Sequence, residues 1–404
     1  MKTCRTCKST KLVNALDLGH QPISNRFTSG AQEDEYTHAM VMAQCDECCL
    51  VQLIDGPPSE DLIPPFDWIS YNEPESHLDD LVDKIADLTG LSSNTSVCGI
   101  SFKDKSTLRR LKDKGAGKVW LLDPNSDLGI EDPSAGIETI QARLTPDRAR
   151  NLAEKHGPAD IVVVRHILEH AHDTGGFLAA IKQLSNPEGH IVFEVPDCSR
   201  ALETLDYSCP WEEHVLYFTQ NTIERSLISN GFSPSKIERY PYPFEDSLVV
   251  IGGAQHDGMP GGADQHLDKR DAENDRRLWR SYSQSLAARR VEVRSKLDRV
   301  RDSNGKIALF GAGHLAAFYI NLFELGDLVE FVVDDNPSKK GLRMPGSGLD
   351  IHGSEMLLND DIKLCLLCLS PESEGKVIQN NQKFVAAGGT FSSIFPSSDL
   401  ALKV

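Results

Sequence analysis

The sequence predicts an α/β protein with a small metal-binding head followed by two Rossmann-like α/β domains. Three observations predict this class. Two C-x2-C pairs lie within the first ~55 residues. Segments of strand length and helix length then alternate, which is typical of a parallel sheet covered by helices. A second such unit, with the turn Gly311-Ala312-Gly313, follows a Gly-, Asp- and His-rich stretch.

The head is predicted to bind zinc through Cys4, Cys7, Cys45 and Cys48. The two pairs are separated by 37 residues, a spacing compatible with a tetrahedral thiolate site for Zn²⁺. Four thiolates leave no open coordination position, so this zinc is structural. Four reduced cysteines or two disulfides are the alternative, although so short and polar a segment cannot bury a sufficient core unaided.

Composition excludes several classes of function. The 404 residues carry a net charge of −18, which would repel a polyanion, so nucleic acid is not an expected partner. No apolar run approaches the ~18 residues of a membrane span, and the first residues are polar, so we expect a cytoplasmic protein without a membrane partner. A small phosphorylated ligand remains compatible with this charge, and oligomeric state is not predicted.

Pro-rich and Gly-rich breaks in the sequence predict four segments. They are a zinc-binding domain at residues 1–58, an α/β domain at 59–254, a linker at 255–270, and a long helix with a second α/β domain at 271–404. Apolar residues between 271 and 302 recur at helical spacing and predict one helix packed on its own protein.

Strands and helices are predicted for each α/β domain from apolar periodicity. In the first domain the strands are predicted at 96–100, 119–122, 161–164 and 190–195, and the helices within 75–91 and at 108–114, 149–156 and 175–184. In the second domain the strands are predicted at 307–310 and 331–333, with a helix at 315–323.

Titratable residues at the predicted carboxyl edge of the sheet indicate a site. Residues 165–173 follow a buried strand and contain His166, His170 and His172 with two acids, which packing does not require. His170 is the best candidate for moving a proton near neutral pH. His166, one helical turn earlier, is either a site residue or a structural group.

The segment Trp211-Glu212-Glu213-His214 supplies a second cluster. A carboxylate beside an imidazole can fix the tautomer of the ring and raise its basicity, as an acid–base pair requires. The alternative is a solvated turn followed by core residues, Tyr217 among them.

Together these segments resemble the SAM-dependent sugar C-methyltransferases, which act on nucleotide-linked ketosugars. The similarity lies in the cysteine head, in FEVPD at 193–197, in WEEHVLYF at 211–218 and, in the last domain, in GAGH at 311–314, VDDNPSKKG at 333–341 and MPGSGLDI at 344–351. It implies that the first α/β domain is of the class I methyltransferase type and that the last is the C-methyltransferase C-terminal domain.

The resemblance implies a reaction in which a proton next to a keto group is removed and the resulting enolate takes the methyl group of S-adenosyl-L-methionine (SAM). It assigns proton transfer and enolate stabilisation to Glu213 and His214, with His170 as a base or orienting group. Tyr71 corresponds less clearly to a tyrosine of the family. Trp211 replaces another tyrosine, and its indole can only donate a hydrogen bond.

The SAM loop departs from the family pattern. Where the family has Glu-x-Gly-x-x-x-Gly, this chain has Gly99 for the acid and Ser101 and Lys105 for the two glycines. Glycine there lets the backbone approach SAM closely. By position, the remaining cofactor contacts would come from Lys103, Asp123 and His166, with Asp123 placed for the ribose hydroxyls.

The substrate side also departs from the pattern, because Glu245 and Asp246 lie where the family commonly has glycines, which indicates an altered substrate or reaction. The turn at Gly311 and Gly313 lacks a third glycine, so it is weak evidence for a dinucleotide. It is either a structural turn or a helix amino end that receives a phosphate. The expected substrate contacts are Tyr217, Glu245, Asp246, Gly311, Gly313, His314, Lys340 and Arg343, with Lys339 as a further counter-charge.

Three functions remain open from the sequence. The first is C-methylation of a nucleotide-linked ketosugar. The second keeps the sugar and the proton transfer without SAM, as an isomerase, epimerase or lyase. The third is a non-catalytic nucleotide-sugar-binding protein, which the titratable pairs at the sheet edge disfavour.

Overall fold

The computed structural model describes residues 2–30, 35–66, 68–69, 73–255, 269–303, 305–359 and 361–402. Most of the predicted linker and the candidate Tyr71 lie outside these residues. Among the described helices, none has both the length and the apolar character needed to cross a membrane.

The head is a four-stranded antiparallel sheet in the order β1-β2-β3-β8, and its last strand comes from the middle of the chain. Its strands are β1 (Leu12–Pro22), β2 (Thr37–Cys45), β3 (Val51–Leu53) and β8 (Leu216–Tyr217). Because Val51 of β3 pairs with Tyr217 of β8, the head is joined by backbone hydrogen bonds to the segment that follows His214.

The middle domain is a six-stranded sheet in the order β5-β4-β6-β7-β10-β9. Its helices are α1 (Leu78–Thr89), α2 (Lys105–Asp113), α3 (Ile137–Arg143), α4 (Pro146–His156), α5 (Thr174–Leu184), α6 (Ser199–Thr204) and α7 (Gln220–Ser229). Its strands are β4 (Ser96–Gly99), β5 (Lys118–Leu121), β6 (Ala159–Arg165), β7 (Ser185–Asp197), β9 (Phe232–Tyr240) and β10 (Asp246–Ala254).

Strands β4 to β7 pair in parallel, which confirms the predicted alternation of strands and helices. Side chains alternate between two apolar layers along β6: Val162 packs in one cluster and Ile161 in the other. At one edge the sheet continues differently, because β10 runs antiparallel to both β7 and β9. Only residues 241–245 join β9 to β10, too few for a parallel crossover.

The last domain begins with the long helix α8 (Lys269–Asp302) and continues as a five-stranded parallel sheet in the order β13-β12-β11-β14-β15. Its strands are β11 (Lys306–Phe310), β12 (Phe331–Val333), β13 (Ile351–His352), β14 (Ile362–Leu367) and β15 (Thr390–Ser393). Its helices are α9 (His314–Leu322), α10 (Pro371–Asn380) and α11 (Gln382–Ala386).

The apolar stripe of α8 is buried, as predicted for a helix packed on its own protein. Trp279 and Tyr282 are fully or almost fully buried in the largest apolar cluster, which also contains residues of β1 and β11. The indole of Trp279 donates a hydrogen bond to the Asn14 carbonyl oxygen at 3.0 Å. Helix α8 therefore ties the head to the last domain.

Short 3₁₀ helices form several of the connections that reach the site. They are Ser59–Asp61, Phe102–Asp104, Leu168–His170, Pro337–Lys339 and Ser354–Leu358. The second and third of these directly follow β4 and β6 at the carboxyl edge of the middle sheet, where open α/β sheets bind ligands.

Candidate active site and zinc centre

The four head cysteines converge as a tetrahedral zinc site requires. Their sulfur atoms lie within 4.8 Å of one another, and Sγ of Cys4 is 3.6 Å from Sγ of Cys48, while Sγ of Cys7 is 3.5 Å from Sγ of Cys45. Tetrahedral Zn–S bonds of about 2.3 Å place sulfurs roughly 3.8 Å apart. All four thiols are free of disulfides, so the donor set fits Zn²⁺ in a closed structural site.

A cavity of about 560 Å³ opens between the middle and last domains at the carboxyl edge of the middle sheet. The middle domain contributes polar side chains from the ends of three strands, and the last domain contributes the beginnings of α9 and α10. Its lining is Glu73, Pro74, His166, Glu169, Pro196, Ser208, Cys209, Trp211, His214, Tyr242, Phe244, Glu245, Asp246, Ser247, His314, Leu315, Ser370 and Glu372.

The predicted proton-transfer residues His170, Glu213 and His214 form one cluster, of which His214 lines this cavity and the other two are buried beside it. The rings of His170 and His214 are perpendicular, with centroids 4.7 Å apart. A ligating atom of Glu213 lies within 4.8 Å of one on His170 and one on Glu138. Oε1 of Glu138, on α3, is 2.9 Å from Nδ1 of His170. The structure thus brings the candidates from β6 and from residues 211–214 into one cluster.

The head holds the two acids of the WEEH segment in place. The backbone N–H of Ser24 donates to the Glu212 carboxylate at 2.6 Å, and its hydroxyl donates at 3.0 Å. The side-chain amide of Asn25 donates to Oε1 of Glu213 at 3.4 Å. Ser24 and Asn25 closely follow β1, so the sheet of the head positions Glu212 and Glu213. The four cysteines of the zinc site are not among the residues that line the cavity.

Burial and neighbouring charges shift the pKa values of the residues in this cluster. Burial raises the pKa of Glu213 well above its ordinary value, and the nearby carboxylates of Glu138 and Glu212 raise it further. Burial lowers the pKa of His214 well below its ordinary value, and the charge of His170 acts in the same direction. For His170, burial lowers the pKa, but the contact with Glu138 outweighs it and the net direction is upward.

The two other candidates within residues 211–217, Trp211 and Tyr217, differ in their exposure to the cavity. Trp211 lines the cavity and stacks on His314, with ring centroids 4.4 Å apart. Tyr217 is buried below it. Its hydroxyl accepts from the Trp211 N–H at 3.1 Å and donates to the Trp211 carbonyl at 3.0 Å, so it braces the turn from within the core.

The loop predicted to bind SAM is engaged with its own side chains. The Asp104 carboxylate accepts hydrogen bonds from the N–H groups of Ile100 at 2.7 Å and Ser101 at 2.8 Å, and from that of Arg165 at 2.9 Å. Burial raises the pKa of Asp104 to about 6 despite these bonds. At Gly99, an added Cβ would approach Leu108 Cδ1 to 2.7 Å, so the loop is closely packed on both sides.

A buried ionic network fills the space beside this loop. The guanidinium of Arg165 donates to both carboxylate oxygens of Glu194 and to the Lys103 carbonyl oxygen. The ammonium of Lys103 pairs with Glu73. Burial lowers the pKa of His166, but Glu73 and the other carboxylates around the ring raise it to about 10.

The remaining predicted cofactor residues lie apart from the cavity. Asp123 is exposed, and its carboxylate accepts from the Ser126 N–H at 2.7 Å. Lys105 is exposed at the start of α2. With the loop amides held by Asp104, these groups in the described conformation do not fit SAM in the manner that the resemblance implies.

A smaller cavity of about 170 Å³ lies at the amino end of α9. Head residues and last-domain residues line it together: Ser24, Asn25, Phe27, Trp68, Ile69, Ala312, Gly313, His314, Asn336 and Lys339. Gly311, just before it, has φ +102°, and an added Cβ would come within 2.8 Å of the Cys368 carbonyl oxygen, so only glycine suits this turn.

Of the three basic residues predicted near α9, Lys339 lines a cavity and Lys340 and Arg343 do not. The ammonium of Lys339 lines the small cavity and is 2.9 Å from Oδ2 of Asp334. Lys340 instead pairs with Glu355 at 3.2 Å, and Arg343 pairs with Asp350 at 3.0 Å. Neither of these two is among the residues that line the two cavities.

Glu245 and Asp246, which the sequence predicts as substrate contacts, both line the larger cavity. Burial raises the pKa of Glu245 to about 8, against the opposing charge of His166. Asp246 accepts a hydrogen bond from the Tyr242 N–H at 3.2 Å and lies 3.4 Å from Arg200.

Sequence reasoning missed three acids of this site. Glu138 lies on a helix that was not predicted, and Glu73 precedes α1 by a few residues. Glu194 is inside the FEVPD strand, where its side chain turns toward Arg165. An acid within an otherwise apolar strand was the signal that could have identified Glu194.

Three family models match the chain. They are "Putative zinc binding domain" at residues 4–62, "Methyltransferase domain" at 72–236 and "C-methyltransferase C-terminal domain" at 265–396. Together they reproduce the architecture expected from the sequence, and they show that the middle domain is a methyltransferase domain. No curated protein matches the chain.

Among solved structures, the Burkholderia thailandensis 1,6-didemethyltoxoflavin-N1-methyltransferase has 16% identity, with coverage of 54% of this chain and 96% of that chain and a TM-score of 0.32. The magnesium protoporphyrin IX methyltransferase of Synechocystis PCC 6803 has 14% identity, with coverage of 46% and 90% and a TM-score of 0.32. At this similarity, the fold assignment rests on the sheet topology and the domain matches.

Proposed function

With the zinc head, methyltransferase domain and C-terminal domain of the C-methyltransferases, this chain is a methyltransferase by architecture, and we propose that it acts on a nucleotide-linked ketosugar. The proposed reaction removes the proton next to the keto group and methylates that carbon. The observation that carries the proposal is the cluster of His170, Glu213 and His214, which reaches a cavity between two α/β domains through His214.

The cluster offers groups for both halves of a proton transfer. Glu213 and His214 lie on one short segment, so one can take the proton while the other hydrogen-bonds the oxygen on which negative charge develops. His170, held by Glu138, orients this pair or serves as the base. Trp211 stacks on His314 and places an aromatic face in the cavity at the junction with the last domain.

The smaller cavity supports a nucleotide-linked substrate. It lies at the amino end of a nine-residue helix and contains Lys339, and helix amino ends favour phosphate groups. His314 lines both cavities. A nucleotide diphosphate bound at α9 would therefore extend its sugar toward Trp211 and His214.

A second candidate is a SAM-independent isomerase, epimerase or lyase that uses the same residues. The specific observation that favours it is the Asp104 carboxylate, which engages the Ile100 and Ser101 amides of the expected SAM loop. In this case the enolate is reprotonated or expels a neighbouring group.

Ligand-dependent thermal unfolding separates the two candidates, because a ligand stabilises by RT ln(1 + [L]/Kd). The methyltransferase proposal expects stabilisation by SAM and by a nucleoside diphosphate, each rising with concentration. A response to the diphosphate with none to millimolar SAM would reject methylation and favour the second candidate. No response to either would contradict both.

A further inference from the structure

The carboxylate of Glu169 is buried without a hydrogen-bond partner. Glu169 is 1% exposed and lies at the cavity wall. Among the described residues, none donates a hydrogen bond to either of its carboxylate oxygens. The closest ion-pair contact is Nδ1 of His166 at 3.5 Å. His166 balances part of this buried charge from one side, and the carboxylate oxygens, which accept no hydrogen bond from the described residues, remain able to ligate a metal ion.

Two imidazoles lie beside this carboxylate. Glu169, His170 and His214 each offer one ligating atom, and the three atoms lie within 4.8 Å of one another. Two histidines and one carboxylate form a donor set for divalent transition metals. Because Glu169 and His214 also line the cavity, the remaining coordination positions face its interior, as in catalytic rather than structural metal sites.

Glu138 completes the arrangement from behind. Its Oε1 is 2.9 Å from Nδ1 of His170. The other ring nitrogen, Nε2, would therefore be the one that binds the metal. A carboxylate that holds the outer nitrogen of a histidine is the usual support of a metal ligand, since it fixes the tautomer and the ring orientation. Glu138 is thus a positioning residue for His170.

We propose that Glu169, His170 and His214 hold one divalent metal ion of the Zn²⁺ class at the cavity wall, in addition to the zinc of the four cysteines. The open positions of the ion face the place where the proposed function puts the keto oxygen of the sugar. Coordination there would stabilise the enolate oxygen, and Glu213 would remain as the proton-transfer group. Metal content is measured without substrate. A missing second metal ion can therefore be distinguished from a failure of the proposed methylation.

Metal stoichiometry tests the site in the full chain. Protein purified with Zn²⁺ in the buffer and then desalted is expected to contain two zinc ions per chain by elemental analysis. Glu169→Gln and His214→Ala are each expected to contain one. Glu372→Gln, at the same cavity but outside the cluster, is the matched control and is expected to keep two. Circular dichroism confirms that each variant is folded.

Cobalt substitution identifies the ligands. After mild chelation, the second Co²⁺ equivalent is expected to bind with weak visible bands of nitrogen and oxygen ligands and without thiolate charge-transfer absorption. Glu138→Gln should weaken this equivalent about 10- to 100-fold, and Glu138→Asp should recover part of the affinity. One metal ion in the parent chain, or a second ion that persists in both Glu169→Gln and His214→Ala, would overturn the proposal.

Discussion

Replacing Glu194 with glutamine should strongly destabilise the middle domain, because this carboxylate compensates the buried Arg165. Its side chain is fully buried, Nη2 of Arg165 lies 3.2 Å from Oε1, and Nε2 of His77 and of His166 each lie 3.1 Å from the same oxygen. Removing one member of a buried ion pair costs about 3–5 kcal/mol. For a domain of this size that corresponds to a fall of roughly 6–20 °C in the midpoint of thermal unfolding.

The assay is thermal unfolding followed by circular dichroism, with zinc present and with Arg165→Met/Glu194→Leu as the companion variant. The double variant removes both charges, so it should recover a substantial part of the loss. A fall of less than about 2 °C in Glu194→Gln, or a double variant less stable than the single one, would refute this reasoning.

The same variant has a pH signature. Arg165 and two histidines hold the pKa of Glu194 well below its ordinary value, against the effect of burial. A depressed carboxyl pKa contributes stability that is fully present above the unfolded pKa of about 4.3 and is lost as the pH falls further. The difference between parent and Glu194→Gln should therefore shrink as the pH falls below about 4.3.

The remaining predictions concern other parts of the molecule. Glu245, with a folded pKa of about 8, keeps its proton where the unfolded chain has lost it, so stability should fall as the pH rises from about 4.5 to 8. Glu245→Gln should remove that slope and gain about 4 kcal/mol at pH 8 in urea unfolding; an unchanged slope would contradict the assignment. Tyr217→Phe should lower the free energy of unfolding by about 1–2 kcal/mol, because it loses the hydrogen bonds to Trp211. It should raise KM for the sugar no more than a matched core variant such as Ile223→Val does. A rise in KM seen only in Tyr217→Phe would make Tyr217 a substrate contact. Cys45→Ala should lower zinc content by one per chain and expose the head to proteolysis; retention of that zinc would exclude Cys45 as a ligand. Asp104→Asn should weaken the hold on the Ile100 and Ser101 amides and increase SAM-dependent stabilisation; an unchanged or smaller SAM response would show that Asp104 does not restrict the loop.

Local signals in the sequence were sufficient for the head and for the parallel part of the fold. The two C-x2-C pairs place their sulfurs by short turns, and the strands from β4 to β7 have continuous apolar runs that only a doubly covered sheet explains. The hairpin-like edge of β9 and β10 was missed because β9 is polar and contains Pro234. Edge strands with one exposed face carry a weaker apolar pattern.

The site was predictable only where its residues share a short segment. Glu213 and His214 are neighbours, and His170 follows β6 directly, so topology alone brings them to one edge. The contact of Glu138 with His170 depends on the path of residues 122–144, which no local pattern specifies. Likewise, Asp104 was not expected to bind the loop amides, because the capping of the 3₁₀ helix after β4 emerges only from its geometry.

The central claim is that this cluster removes a proton from the carbon beside a keto group. The most direct measurement is deuterium incorporation at that carbon when a nucleotide-linked ketosugar is incubated with the protein in D₂O, first without SAM and then with it. The account predicts exchange by the parent chain and its loss in both Glu213→Gln and His214→Ala, while Glu203→Gln, at an exposed position of α6 outside the cavity lining, retains it. Full exchange by both Glu213→Gln and His214→Ala would contradict the account.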